Sequence, residues 1–267
     1  MKINRLFVIS FVVLTLAISI VSAVQPFGVE TVNEINSTRA KIDTADSVDT
    51  IAGNVTEITV DAFATTQTWA GYFGNVSGTI QLADYNDNVM YNWSLDDPEG
   101  EIFASEVAAV DWASLQCFNF AADNLGGAET PGDINQHGKG LADMETQYGI
   151  EWDDKDGINE TFSTAGTHEN GNALAHDLFY VNNLEFHAGE CPSTHLMGPN
   201  GAIADATYEE ILLYDSTNDE MVFTSRLLEN DVLGFDGRDH DFEMLVLENG
   251  HLTDTDSRPY YFYVELE

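Results

Sequence analysis

Positive charge is what this chain has least of. Nine Lys and Arg stand against 46 Asp and Glu in 267 residues, giving a formal charge of −37. From Ile42 through His137 there is no Lys or Arg at all. Phosphate recognition rests on clustered cations, so nucleic-acid binding is excluded, and electrostatic docking on anionic lipid is disfavoured for the same reason. Catalytic signatures are missing too. There is no Gly-X-Ser-X-Gly elbow, no second His at the zincin spacing after His168-Glu169, no Gly-Lys-Ser/Thr phosphate loop and no Cys-X-X-Cys-His. After the first 23 residues no second long apolar run occurs. What remains is not a disordered acidic tail, because 43% of the residues are hydrophobic and 11% aromatic, enough to build a core. A length of this order suits one large β domain or two small ones.

Residues 1–23 read as a secretory signal: Lys2 and Arg5, an apolar run from Leu6 to Ile20, then Val21-Ser22-Ala23 for cleavage before Val24. The run is short for a membrane span of about 20 residues, so no transmembrane anchor is expected after cleavage. Two cysteines, Cys117 and Cys191, are an even number in an exported chain and are expected to pair. Five Asn-X-Ser/Thr triplets, at Asn36, Asn54, Asn75, Asn92 and Asn159, are candidate glycosylation sites. The acidity fits a protein of a salt-loving organism, since screening over about 3 Å at 1 M salt quenches self-repulsion. A calcium-loaded surface is the rival account.

Along the chain, residues 24–53 form a polar, weakly periodic lead-in, in which Val24–Val32 is a candidate strand for pairing with a neighbouring subunit. Residues 54–267 then read as one β domain. Strands are expected over Asn54–Ala62, Thr68–Gly74, Gly78–Leu82, Val89–Leu95, Glu101–Ala104, Ile211–Tyr214, Glu220–Leu228, Phe242–Leu247 and Tyr260–Leu266. Asp84–Asn88 and Asp215–Asp219 read as acidic hairpin loops. In the last strand Tyr260, Phe262, Val264 and Leu266 share one face, and Tyr261, Tyr263 and Glu265 the other. The expected fold is all-β, an antiparallel sandwich of two sheets. It carries a loop-rich central insertion at about 122–171, bracketed by the two cysteines. Helix is expected over Leu141–Tyr148 and, for a turn or two, over Val107–Leu115.

One set of segments carries a resemblance. Ala52-Gly53-Asn54-Val55-Thr56-Glu57, Trp69 through Gly78 (WAGYFGNVSG), Met90-Tyr91-Asn92-Trp93 and Glu99 through Ser105 (EGEIFAS) stand in that order. With the contexts of Cys117 and Cys191 and the closing Tyr260 through Leu266 (YYFYVEL), the chain resembles a group of uncharacterised exported proteins of archaea. The resemblance implies an archaeal cell-surface setting and no activity.

Candidate chemistry concentrates in the centre. Five of seven histidines lie between His137 and His195, namely His137, His168, His176, His187 and His195. His187 and His195 flank Cys191 at spacings of four, with Met197 nearby, a donor set of the kind copper takes. Pairing of Cys191 with Cys117 competes with that role. Asp153, Asp154 and Asp156 before Gly157 resemble half of a calcium loop, although Trp152 and Ser163 at the first and last ligand positions exclude an EF-hand. Asp153, Asp154, Asp156, His187 and His195 are therefore the candidate metal ligands, with calcium the leading ion. The competing account is a set of solvated turns. Trp69, Trp93, Trp112 and Trp152 are candidates for a sugar platform, with Trp69 and Trp93 expected in the core instead. The function expected is a secreted structural or adhesive surface protein, self-associating or held by other surface proteins, as in a filament or surface layer. An extracellular metal- or carbohydrate-binding module is the alternative, and a hydrolase built on paired carboxylates a more distant one.

Overall fold

In the computed structural model, the residues described are 25–41, 44–95, 98–120, 139–163, 176–201, 207–228, 232–248 and 257–266. The expected signal at 1–23, His137, His168 and the turn-rich stretches at 122–138 and 164–171 lie outside them. The strands are β1 (Phe27–Gly28), β2 (Trp69–Gly74), β3 (Thr79–Ala83), β4 (Val89–Ser94), β5 (Gly100–Ser105) and β6 (Leu115–Cys117). After helices α1 (Leu141–Tyr148) and α2 (Ile158–Thr161) come β7 (Phe179–Val181), β8 (Leu184–Phe186), β9 (Ser193–His195), β10 (Glu209–Asp215), β11 (Glu220–Arg226), β12 (Phe242–Leu247) and β13 (Tyr261–Leu266). Every ladder between them is antiparallel.

A seven-stranded sheet runs β1-β13-β5-β11-β10-β6, with β9 also on β10, and three two-stranded sheets pair β2 with β12, β3 with β4 and β7 with β8. Alternation in the long strands sends side chains to both faces of the large sheet, and both are covered. Ile102 and Ala104 of β5, Leu212 and Tyr214 of β10, and Met221 and Phe223 of β11 share one apolar cluster with Met244, Val246 and Leu247 of β12. Met144 and Tyr148 of α1, Ile158 of α2 and Phe162 complete that cluster. On the opposite face Phe103, Ile211, Leu213, Val222 and Tyr263 pack with Val110, Trp112 and the β7–β8 hairpin. The Phe179 and Phe186 rings of that hairpin stack 5.0 Å apart. Each fully buried Leu, Ile or Phe contributes roughly 2 kcal/mol of transfer free energy.

Several expectations change here. Asn54–Ala62 forms no strand: it is exposed along its length, because alternation makes a strand only where a neighbour supplies the ladder. Val107–Leu115 forms no helix and instead lays Val110 and Trp112 over the sheet. The described part of the expected insertion, 139–163, is core material rather than an excursion, since Met144, Tyr148, Ile158 and Phe162 are buried. Helix α1 starts where Gly140 N–H meets Asp143 Oδ2 at 3.3 Å. It ends at Gly149, whose φ of 71° lets its own N–H turn back onto Thr146 O and that of Ile150 onto Glu145 O.

Cys117 and Cys191 form a disulfide across 74 residues of chain. Its placement explains the composite edge of β10: Leu213 pairs with Cys117 in β6, while Ile211 pairs with Ser193 in β9. Leu212, between them, bonds both segments, its O accepting from Phe118 N at 3.1 Å and its N–H reaching Pro192 O at 2.8 Å. Two three-residue strands too short to hold themselves are thus joined covalently into one edge. Closing a loop of this length restricts the unfolded chain by roughly 4 kcal/mol in the entropic account. Reduction, or a Cys117→Ser/Cys191→Ser variant, is expected to lower unfolding free energy by about that amount. Urea titrations with and without reductant measure it, and the double variant should show no further response to reductant.

Candidate functional site

The sequence-predicted metal ligands do not converge. Asp153 is exposed. Asp154 accepts the Glu151 N–H at 2.8 Å. Asp156 receives the Thr66 hydroxyl at 2.5 Å, and its carbonyl takes the Trp69 indole N–H at 2.7 Å. His187 sits on the surface 3.4 Å from Glu185. His195 Nε2 lies 3.3 Å from Glu209 Oε1, and Cys191 is in the disulfide. Among the described residues no three His, Cys, Asp or Glu gather as a metal would need. The buried His176 is used at both nitrogens: Nε2 accepts the Cys191 N–H at 2.9 Å, so Nδ1 carries the proton and donates to Asp177 O at 2.8 Å. The acidic turns are likewise closed on themselves. Asp215, fully buried, accepts from the N–H groups of Asp111, Thr217 and Asn218, and Asp84 accepts from those of Asn86 and Asn88. At Asp236, burial would raise the carboxyl, but Arg238 and His240 outweigh it and bring it to about 2.

The scarce cations serve as internal staples. Arg258 sets one guanidinium nitrogen 3.1 Å from both oxygens of Glu106 and another 3.0 Å from Gln147 O, with its plane 4.4 Å over the Tyr148 ring. Arg226 joins Asp177 and Glu209 at 3.3 and 3.4 Å. Burial alone would raise the Glu209 carboxyl, yet His195, the Asp177 N–H and Arg226 together hold it below the usual range. Lys139 reaches Gln147 and Glu220. Glu106 is mostly buried, so Arg258→Ala removes its cation and leaves it the Tyr148 hydroxyl, which donates to Oε1 at 3.0 Å. We expect a loss of about 2 kcal/mol, read by urea denaturation. Arg258→Lys should restore less than half, because an ammonium has no planar fork.

Glu210 and Glu243 are also buried without a cation. Glu210 of β10 is fully buried, with Oε2 accepting the Leu245 N–H at 2.8 Å and Oε1 lacking a hydrogen-bond partner. Glu243 of β12 accepts the Phe235 N–H at 2.9 Å through one oxygen, and its other oxygen has no partner. Burial pushes both carboxyls up, Glu210 well above the ordinary glutamate value. The folded chain therefore holds the Glu210 proton more tightly than the unfolded chain does. The stability this group contributes is complete below the ordinary glutamate pKa and is lost as pH rises toward the raised value. Glu210→Gln, a copy of the protonated form, is expected to remove that part of the slope. The difference between wild-type and variant unfolding free energies, followed from about pH 4 to pH 8, checks it; a constant difference would refute the assignment.

Apolar surface without a cover lies elsewhere. Residues 44–67 are exposed throughout, and they carry Val48, Ile51, Val55, Ile58, Val60 and Phe63, with Ile58 at 61% and Val60 at 76% exposure. The β3–β4 hairpin stands out from the body in the same way. Its register pairs Ile80 with Trp93 and Leu82 with Tyr91, which puts all four on one face, while Thr79, Gln81, Asn92 and Ser94 share the other. Trp93, expected in the core, is 49% exposed beside Tyr91, the two rings 4.8 Å apart and tilted by 58°. Trp152 is exposed as well, Trp112 is buried, and Trp69 packs on Phe162 and Phe223. Alternation announced the hairpin, but it reads alike whether the apolar face is covered or bare. The asparagines of all five glycosylation triplets are exposed.

Comparison with protein-family models, with curated proteins and with solved structures finds no match. Among the described residues no helix is long and apolar enough to cross a membrane.

Proposed function

We propose that this is a secreted, glycosylated structural protein of a salt-loving archaeal surface, a subunit that assembles by exchanging its amino-terminal strand. On this reading β2–β12 is the reduced second sheet of a sandwich whose large sheet carries the assembly edge. The observation that carries the proposal is the slightness of β1. Phe27 opposite Val264, Gly28 opposite Tyr263 and one further bond from Val29 N–H to Phe262 O at 3.1 Å are what tie this edge strand to β13. The exposed chain that follows would let the same residues reach the same edge of a neighbour, with every contact conserved. An added strand satisfies the open ladder of β13. Five glycosylation triplets with exposed asparagines agree with a structural role at a surface.

Electrostatics sets the conditions. Subunits of so acidic a chain, −37 over its full length, repel at low ionic strength, and screening falls from about 10 Å at 0.1 M to about 3 Å at 1 M salt. Sedimentation and negative-stain microscopy of the chain from residue 25 onward should show polymers in molar salt that dissolve on dilution into low salt. Deletion of residues 25–40 should abolish them while leaving the thermal transition of the body in place. Monomers from both proteins at every salt concentration would reject the assembly.

A further inference from the structure

Two uncovered surfaces in one chain have matching chemistry. Over Glu57-Ile58-Thr59-Val60-Asp61-Ala62, period-two alternation would put Ile58, Val60 and Ala62 on one side and the acids Glu57 and Asp61 on the other. The segment is rich in β-branched residues, which favour strands, yet it forms none alone. The β3–β4 hairpin has the reciprocal need. It is a two-stranded sheet whose strands have no other ladder partner among the described residues, and an isolated hairpin is marginal in water. Its apolar face of Ile80, Leu82, Tyr91 and Trp93 is uncharged, its acids Asp84 and Asp87 standing in the loop at the tip.

Resting on the assembly reading above, we infer that the β3–β4 hairpin is the receptor for residues 54–63 of a second copy, which dock as an added strand with Ile58 and Val60 against the Leu82, Tyr91 and Trp93 face. Charge favours this occupant: neutral stripes meet, and the carboxylates of both partners point outward. The geometry favours a neighbour over the same chain. Residues 64–68 are rooted at the Trp69 end of β2, where the Thr66 hydroxyl binds Asp156 and Glu248 N–H binds Thr68 O at 2.7 Å. The hairpin leaves from the opposite end, beyond Gly74, with Val76 N–H held by Asp241 Oδ2 at 2.6 Å. The six residues of β2 separate these roots by about 17 Å, and the segment runs into β2 in the chain direction that leads on to the hairpin. Reaching its own hairpin requires a reversal, whereas a head-to-tail neighbour meets it at full extension. Such a contact does not close on itself and generates a filament.

The area is of the right order for a repeated contact. Tyr91 and Trp93, 59% and 49% exposed, together leave on the order of 200 Å² uncovered, taking 150–250 Å² per whole aromatic side chain. That is short of the roughly 800 Å² per partner of a stable pair, but every copy would both donate and receive. A sugar platform fits less well, because the Tyr91 and Trp93 rings are tilted rather than coplanar and the polar side chains of the hairpin lie on its other face.

Single-cysteine variants test the inference, since the chain has no free thiol of its own. Ile58→Cys and Leu82→Cys proteins, carrying different tags and mixed in molar salt with a short bis-maleimide, should give a cross-linked species containing both tags. Gln81→Cys, on the opposite face, should give far less. Tyr91→Ser/Trp93→Ser should raise the concentration needed for polymers by at least about tenfold, while the thermal transition of the body stays unchanged. Polymers that form normally in the double serine variant, with no mixed cross-link, would overturn the hairpin as receptor and leave strand exchange through β1 standing. Wild-type protein that stays monomeric in molar salt would overturn both. Binding of monomeric wild type, but not the serine variant, to polysaccharide or to neutral lipid vesicles, without cross-linking, would overturn the second copy as occupant.

Discussion

Strand β10 is the constraint on which the rest of the structure depends. It sends Ile211 and Leu213 into one apolar cluster and Leu212 and Tyr214 into the other, so a single strand nails both layers to the sheet. One of its edges is paired along its length by β11. The other is paired in two pieces, by β6 and β9, and the disulfide joins those pieces. Without that bond Leu212 would rely on two loose segments to satisfy its N–H and C=O in a dry interior, where an unpaired peptide group costs on the order of 1–3 kcal/mol. The long chain segment between the cysteines is then not an appendage. Its described part supplies α1, α2 and the β7–β8 hairpin, each packed on a face that β10 helps define.

The charge imbalance shapes the energetics differently. With so few cations, the body cannot be stabilised by a general network of ion pairs, and surface pairs contribute little in any case. Arg258, Arg226 and Lys139 are instead spent where acids from distant parts of the chain come together: Glu106, Asp177, Glu209 and Glu220. Other buried acids are handled without cations. Asp215 is wrapped in N–H donors, and Glu210 and Glu243 sit in surroundings that favour their protonated forms. The surplus carboxylates are left to the solvent and its counterions, which is the arrangement a salt-rich medium tolerates.

Legibility in the sequence followed local signal strength. Where five or more residues alternate, as in the closing strand, both the strand and the side of each residue follow from period two, and Tyr263 does fall in the cluster opposite Phe262 and Val264. Three-residue strands such as Leu115–Cys117 and Ser193–His195 carry no period and are defined by β10 rather than by their own residues. The pairing of Cys117 with Cys191 was legible because two cysteines in a chain leave one choice of partner. Proximity in sequence says nothing about convergence of the candidate ligands: His187 faces Glu185 on the surface while His195 is committed to Glu209. Burial of aromatic residues was the least legible property, as Trp93 shows. Its alternation is that of a half-buried strand, yet among the described residues it stands 49% exposed.

That last point bears on how such a chain works. A segment with the period of a strand and no ladder, and a sheet with an apolar face and no cover, are each an unsatisfied half of a β structure. In a monomer intended to remain one, exposed edges are usually blunted by lysine, proline or a bulge. Here β3 and β4 contain neither lysine nor proline, and their one register shift lies at the tip, between Leu82 and Ala83. The carboxylates Glu57, Asp61, Asp84 and Asp87 are placed off the two apolar stripes, so in the proposed assembly they would oppose association through long-range repulsion rather than by blocking the contact. Repulsion of that kind is removed by salt, whereas a lysine or proline in the strand would not be. On the proposed assembly, the position of the charges would turn ionic strength into the control on whether the two halves meet.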